Sequence, residues 1–256
     1  MTQLYCEVSD GNAGLLVLLH GLGATADVWS PFIDARPESI AGRIAVLDLP
    51  GHGESGGLDD YAMPAVAARI ADTLRARLRP VQDCVLLGHS YGGVAAIELA
   101  GADWGLHPQH VLGLGIKTCW SDDELAHMRR LAAKPAKSFQ SAAEANEWYR
   151  KTTGLAGLAD HPERYTRRGV RQTKDGQWRL ALDPAVYAVG DPGMDRLMGK
   201  ACCPVSLGYG AADRMIDADD MRRHDRDADA IRDGGHNVMV THPDAVWEWL
   251  QRRLRG

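Results

Sequence analysis

The order Gly88-His89-Ser90-Tyr91-Gly92, with Gly93 behind it, sets a hydroxyl between two glycines at a place where negative charge is favoured. It lies between the apolar, β-favouring run Cys84-Val85-Leu86-Leu87 and a helix-like run over 94–100. A strand that passes directly into a helix through G-x-S-x-G holds its serine on a sharp, strained turn. Small residues two positions either side let strand and helix approach without clash. The turn lifts Ser90 Oγ clear of the backbone at the helix N-terminus, where unpaired N–H groups and the helix dipole stabilise developing negative charge. The same five letters also occur in ordinary glycine-rich turns, so the residues around them decide.

Those surroundings are other strand ends. Residues 3–8 predict an edge strand that stops at Ser9-Asp10-Gly11-Asn12. The apolar runs 15–19 and 44–47 are short and continuous, the signature of strands buried on both faces of a mostly parallel sheet. The first ends at His20-Gly21-Leu22-Gly23 and the second at Asp48-Leu49-Pro50-Gly51-His52-Gly53-Glu54-Ser55. A helix follows over 63–77, with Ile70, Leu74 and Leu78 at helical spacing and Pro80 beyond its end. After the serine turn, 111–116 is a strand leading to Lys117, and 205–209 leads to Gly210-Ala211-Ala212-Asp213. Asp217 and Asp220 fit the N-cap and N3 positions of a short helix. Residues 228–232 form a last strand before Asp233-Gly234-Gly235-His236-Asn237, and Pro243 opens a terminal helix that buries Val246, Trp249 and Leu250. His20, Asp48, Ser90, Lys117, Asp213 and His236 therefore all fall at the C-terminal ends of predicted strands. Strand alternating with helix predicts an α/β fold, a mostly parallel central sheet with helices on both faces.

Between Lys117 and Pro204 the rhythm changes and no sheet-like run is visible. Four helix starts replace it. Ser121-Asp122-Asp123-Glu124 and Ser141-Ala142-Ala143-Glu144 both fit a capping box, and His161-Pro162 and Asp183-Pro184 both place proline at a first helical position. Gly154, Gly169 and Gly190 are placed to end the helices before them. Residues 118–200 thus predict a compact helical cap inserted into a core made of 1–117 and 201–256, covering the sheet edge where ligands bind in open α/β folds.

Composition narrows the function classes. A net charge of −5 gives no reason to expect nucleic acid or an anionic membrane surface. The five cysteines are odd in number, two are adjacent, and none shows C-x-x-C spacing, so neither a disulfide framework nor a metal site is implied. No phosphate loop precedes a helix with Lys-Ser/Thr, so no cofactor is implied either. The N-terminus has no basic segment followed by an apolar core, and no stretch approaches a membrane span, which predicts a cytoplasmic protein, monomeric or a small homo-oligomer.

The chain order of Ser, Asp and His, with HGLG, DLPGHGES, GHSYGG, GYGAAD and GGHN at strand ends, resembles the α/β-hydrolase superfamily. The resemblance covers 1–117 and 201–256 and leaves out 118–200, where members of that family differ most. It implies Ser90 as nucleophile, activated by His236 as general base, with Asp213 accepting from the other ring nitrogen to fix the tautomer. Asp122 or Asp123 stands as an alternative acid position, whereas Asp217 is better explained as a helix cap. The resemblance also implies an oxyanion hole made by the backbone N–H groups of Leu22 and Tyr91. His20, His89, Asp48 and His52 read as braces for the loops. A serine at position 90, where haloalkane dehalogenases and epoxide hydrolases of that superfamily carry aspartate, points to acyl transfer.

The expected activity is that of a serine esterase, a carboxylesterase cleaving a small or medium, apolar ester through an acyl-enzyme. The alternatives are a thioesterase or lactonase, a C–C bond hydrolase, and a catalytically idle receptor with the same fold. Trp29, just after the oxyanion loop, and Trp120, near a strand end, are candidate walls of an apolar pocket, and Lys117 either binds a substrate carboxylate or points to solvent. Residues 118–200 carry a charge balance of +3, leaving −8 elsewhere. Arg164, Arg167, Arg168, Arg171 and Lys174 lie close together in that segment. They read as a solvated basic face or, more sharply, as a docking surface for coenzyme A or an acyl carrier.

Overall fold

The computed structural model describes residues 3–11, 13–78, 84–101, 104–158 and 162–255. Asn12, Pro80 and His161, to which the sequence assigned turn, helix-end and helix-start roles, lie outside the described residues. Among the described residues ten strands occur in chain order: β1 Cys6–Val8, β2 Ala13–Leu19, β3 Gly42–Leu47, β4 Cys84–His89, β5 Pro108–Leu114, β6 Ser138–Phe139, β7 Val170–Gln172, β8 Trp178–Leu180, β9 Val205–Gly210 and β10 Asp229–Ile231. The helices among them are α1 Ser30–Asp34, α2 Met63–Arg77, α3 Tyr91–Gly101, α4 Asp122–Ala132, α5 Ala142–Thr152, α6 Met194–Lys200, α7 Ala218–His224, α8 Val238–Thr241 and α9 Pro243–Arg255.

Seven strands make one sheet in the order β1-β3-β2-β4-β5-β9-β10. Only β1 runs antiparallel; every other pairing is parallel. The register fixes where the polar strand ends fall. Leu19 lies opposite both Leu47 and Gly88, His89 opposite Leu114, and Gly210 opposite Ile231. The residues that follow these positions accordingly emerge along one edge of the sheet, which is where ligands meet open parallel sheets.

Both faces of the sheet are covered. On one face, α2 and α3 bury Ile70, Leu74, Ile97 and Leu99 against β2 and β4 side chains such as Leu19 and Leu86. On the other, α9 buries Val246, Trp247, Trp249 and Leu250 against Phe32 and the sheet. Trp247 stacks on Phe32 with ring centroids 4.1 Å apart and donates from Nε1 to the Phe32 carbonyl at 2.6 Å, so the indole is buried without an unpaired donor. Among the described residues no helix is long and apolar enough to cross a membrane.

The stretch 118–200 departs from the expected all-helical form. Ser121 starts α4 with a complete capping box, its Oγ accepting from Glu124 N–H at 3.3 Å while Glu124 accepts from Ser121 N–H at 2.9 Å. Ser141 starts α5 with half of one: its Oγ accepts from Glu144 N–H, but the Glu144 carboxylate turns instead to Gln140 N–H. Pro162 and Pro184 open 3-10 turns, not α-helices. Sheet structure does return before Pro204, as a three-stranded antiparallel sheet in the order β6-β8-β7. Its strands have two or three residues each, too few to show an alternating pattern. One local signal did mark it, the Asp175-Gly176 pair between β7 and β8, a hairpin turn with Gly176 at φ 82°.

Candidate active site

Strand β4 delivers Ser90 on a turn with φ 50°, a left-handed value rare for a residue with a Cβ. The turn is held from three sides. Ser90 N–H donates to Leu114 O at 2.8 Å, and Ser90 O accepts from Gly93 and Val94 N–H at 2.9 and 3.2 Å. A Cβ at Gly88 would stand 2.2 Å from Gly92 O, and one at Gly92 would stand 2.3 Å from Leu19 O. No side chain fits at either place, which is the close strand–helix approach that the spacing required.

At the exit of β9, Asp213 is buried and its two oxygens are both engaged. Oδ1 accepts from Met215 N–H at 2.9 Å, and Oδ2 lies 2.7 Å from His236 Nδ1. An ionised carboxylate only accepts, so Nδ1 carries the ring proton and Nε2 keeps its lone pair. It is Asp213, and neither Asp122 nor Asp123, that meets the histidine; those two lie exposed in the first turn of α4. Asp217 caps α7, accepting from Asp219 and Asp220 N–H. Ser90, His236, Leu22 and Tyr91 all line one cavity of about 660 Å³, a size suited to a small organic ligand. Among the described residues nothing bonds to Ser90 Oγ or takes the N–H groups of Leu22 and Tyr91. Hydrogen bonds of this kind commonly close only around a substrate.

Buried histidines brace the loops on either side. His20 Nε2 accepts from Leu49 N–H at 2.9 Å while its Nδ1 donates to Gly21 O at 2.8 Å. His52 Nε2 accepts from Gly23 N–H at 3.1 Å and its Nδ1 donates to Pro50 O at 2.9 Å. Both rings must be neutral to accept. Burial holds His20 down at about 4 and His52 at about 3. Asp48 ties the same loops, accepting from Ala26 and Glu54 N–H at 2.7 and 3.0 Å.

The residues 118–200 supply much of the cavity's outer wall, through Trp120, Met128, Thr153, Leu158, Tyr187 and Val189. Three methionines, Met63, Met128 and Met215, contribute adaptable surface that the sequence did not single out. Lys117 does face the cavity, but its ammonium is taken by Glu124 and lies 5.2 Å from the Trp120 ring centre. That contact holds the Glu124 carboxyl down at about 2.

Two expectations are corrected. Trp29 is no pocket wall: the chain turns inward at Ala26, and the indole is fully buried beside Phe32 in the core. The basic cluster, in turn, loses one member to the interior. Arg168 is 8% exposed, with its guanidinium 2.9 Å from Asp27 and 3.6 Å from Asp48, stacked over the Tyr5 ring. Arg164, which pairs with Asp34, Arg167, which approaches Asp27, and Arg171 and Lys174 are all exposed to solvent. Sequence reasoning also missed Asn237, whose Nδ2 donates to Thr153 O at 3.0 Å and Gly154 O at 3.2 Å.

A parallel sheet with a serine on a strained β4–α3 turn and an Asp–His pair at later strand ends defines an α/β hydrolase. Residues 16–249 match the Alpha/beta hydrolase family, and the chain belongs to it. Among its relatives, the biotin biosynthesis bifunctional protein BioHC of Cellvibrio japonicus is 32% identical over 66% of this chain. Protein phosphatase methylesterase 1 of Mus musculus is 32% identical over 61% of it. The chain spans only 33% and 41% of the lengths of those two proteins. The pimeloyl-[acyl-carrier protein] methyl ester esterase of Proteus mirabilis is 25% identical, with 100% of this chain and 98% of that protein aligned. In fold, the chain is similar to E-2-(acetamidomethylene)succinate hydrolase, with a TM-score of 0.79 at 17% identity over 99% of this chain and 96% of the other.

Proposed function

We propose that this chain is a serine hydrolase that cleaves a carboxylic ester of a small or medium, apolar acyl group through an acyl-enzyme. The observation that carries the proposal is the 2.7 Å contact between His236 Nδ1 and Asp213, at the wall of the cavity onto which Ser90 opens. With Nδ1 protonated, His236 Nε2 is the atom that can take the Ser90 proton as Oγ attacks the ester carbonyl. The carbonyl oxygen becomes an oxyanion, for which the open N–H groups of Tyr91 and Leu22 are the donors. Collapse expels the alcohol, which receives its proton from His236. A water molecule, deprotonated in turn by His236, then attacks the acyl-serine, releases the acid and returns the proton to Ser90. In this reading residues 118–200 act as a cap over 1–117 and 201–256 and choose the acyl group. Lys117, neutralised by Glu124, leaves that wall suited to uncharged chains.

A second reading keeps the chemistry and changes the carrier. Relatives are named as methylesterases of a protein phosphatase and of a pimeloyl-acyl-carrier protein, which favours a methyl ester presented on a larger partner. Docking of an acyl carrier or coenzyme A would then involve the exposed Arg171 and Lys174, not the buried Arg168.

Hydrolysis of a p-nitrophenyl ester series by the wild type and by Ser90→Ala, with a serine-reactive phosphonate as label, tests the proposal. Loss of kcat on the order of 10⁶-fold in the variant, with one label on Ser90, is the expected result. Turnover that survives Ser90→Ala would sink the reading. Thioester, lactone and diketone substrates in the same assay separate its alternatives.

A further inference from the structure

His89 precedes the proposed nucleophile, and its imidazole is buried. Its Nε2 lies 2.9 Å from the backbone carbonyl oxygen of His236. A carbonyl only accepts, so Nε2 carries the proton and donates, and Nδ1 is left as a bare lone pair. Among the described residues Nδ1 has no hydrogen-bond partner. What faces it is Gly21: a Cβ built there would stand 2.8 Å from Nδ1 and 3.2 Å from Cε1. On another side, a Cβ at Gly115 would stand 3.5 Å from Cδ2 and Nε2. The His89 and His236 rings lie with centroids 4.6 Å apart. One imidazole thus fills the gap between the loop that carries Leu22, the exit of β5 and the loop that carries the base.

Resting on the reading of Ser90 and His236 given above, we infer that His89 is a positioning residue. It is a buried spacer whose Nε2–H pins the main chain of His236 at a fixed distance from the serine turn and from the oxyanion loop. A purely apolar side chain would fill the same volume but leave the His236 carbonyl without this donor, and the base loop would be free to turn. A cationic side chain would donate equally well but would set a permanent charge against the imidazolium that must form on His236. Burial, and beyond it the neighbouring His236 and His20, hold His89 far below the ordinary histidine range, so it stays neutral while His236 takes the proton.

Glutamine places an N–H near the position of a histidine Nε2, whereas asparagine reaches only the position of Nδ1. The test therefore compares His89→Gln with His89→Asn, two amides of equal polarity, with His89→Leu alongside, using p-nitrophenyl butyrate. Misplacement of a reacting group by about 1 Å costs roughly a hundredfold, so Asn and Leu should lose about that factor in kcat, with KM changed by less than about twofold and Gln close to wild type. Proton NMR supplies a readout independent of turnover: the far-downfield ring proton between His236 and Asp213 should persist in the Gln variant and broaden away in the Asn variant. Equal behaviour of the Gln and Asn variants, or a loss expressed only in KM, would overturn the inference. If the Leu variant fails to fold, the two amides still decide. Ser90→Ala and His236→Ala run beside them: turnover in either removes the reading of the site, and the NMR comparison still judges the His89 contact.

Discussion

At the scale of single residues, the strongest consequence concerns Asp213. Its carboxylate accepts from two donors while its side chain is almost wholly shielded, an arrangement that holds His236 in one tautomer. Asp213→Asn keeps the shape and reverses the preferred tautomer. A fall in kcat of about 10⁴ with KM little changed is expected from steady-state kinetics on a p-nitrophenyl ester. The position was legible as the polar end of a strand, because Gly210-Ala211-Ala212-Asp213 follows a short apolar run. Trp29 was not legible. Nothing in its neighbours distinguishes a ring aimed at the cavity from one aimed at the core, and the difference comes from a 3-10 turn at Ala26–Trp29. Trp29→Ala should therefore lower stability by about 3–5 kcal/mol, read by urea denaturation, as for other large core aromatics.

At the scale of elements, the central strands could be read directly because a parallel sheet buries both faces and leaves continuous apolar runs. The inserted stretch could not. Proline at a first helical position serves a 3-10 turn as well as an α-helix, and strands of two or three residues have no period to detect. A buried contact that ties this stretch to the loops at the sheet's edge was equally hidden, since Arg168 sits in a run of basic residues that reads as a solvated face. In the fold its guanidinium serves Asp27 and Asp48, both buried. Removing it leaves two buried carboxylates with backbone donors but without their buried guanidinium, and Arg168→Ala should cost about 3 kcal/mol, measured as a shift in the urea midpoint. Arg171→Glu, on an exposed side chain, should leave that midpoint within about 0.5 kcal/mol and is the variant suited to asking about docking.

At the scale of the whole molecule, the buried histidines make stability depend on pH. His20 and His52 are neutral and hydrogen-bonded in the folded chain, at about 4 and about 3, and His89 is held low as well. The unfolded chain protonates the same rings near the ordinary value of about 6.5. A folded pKa below the unfolded one means that stability is complete above about pH 6.5 and falls as the pH drops toward 4, by about 1.4 kcal/mol per pH unit for each ring. Burial pushes Asp27 and Asp48 upward, which acts in the opposite sense at lower pH. Urea midpoints measured between pH 7 and 4.5 should fall steeply, and His52→Gln should flatten that slope by about one ring's share. The stretch 118–200 matters for the whole molecule too, because its contacts with the rest of the chain include those of Arg168 to Asp27 and of the Thr153 and Gly154 carbonyls to Asn237, the residue after His236. A chimaera that exchanges 118–200 for another member's segment would bring new walls but would also have to replace a guanidinium and two carbonyl oxygens. Changing the walls of the cavity and keeping Asn237 held are thus not independent operations in this chain.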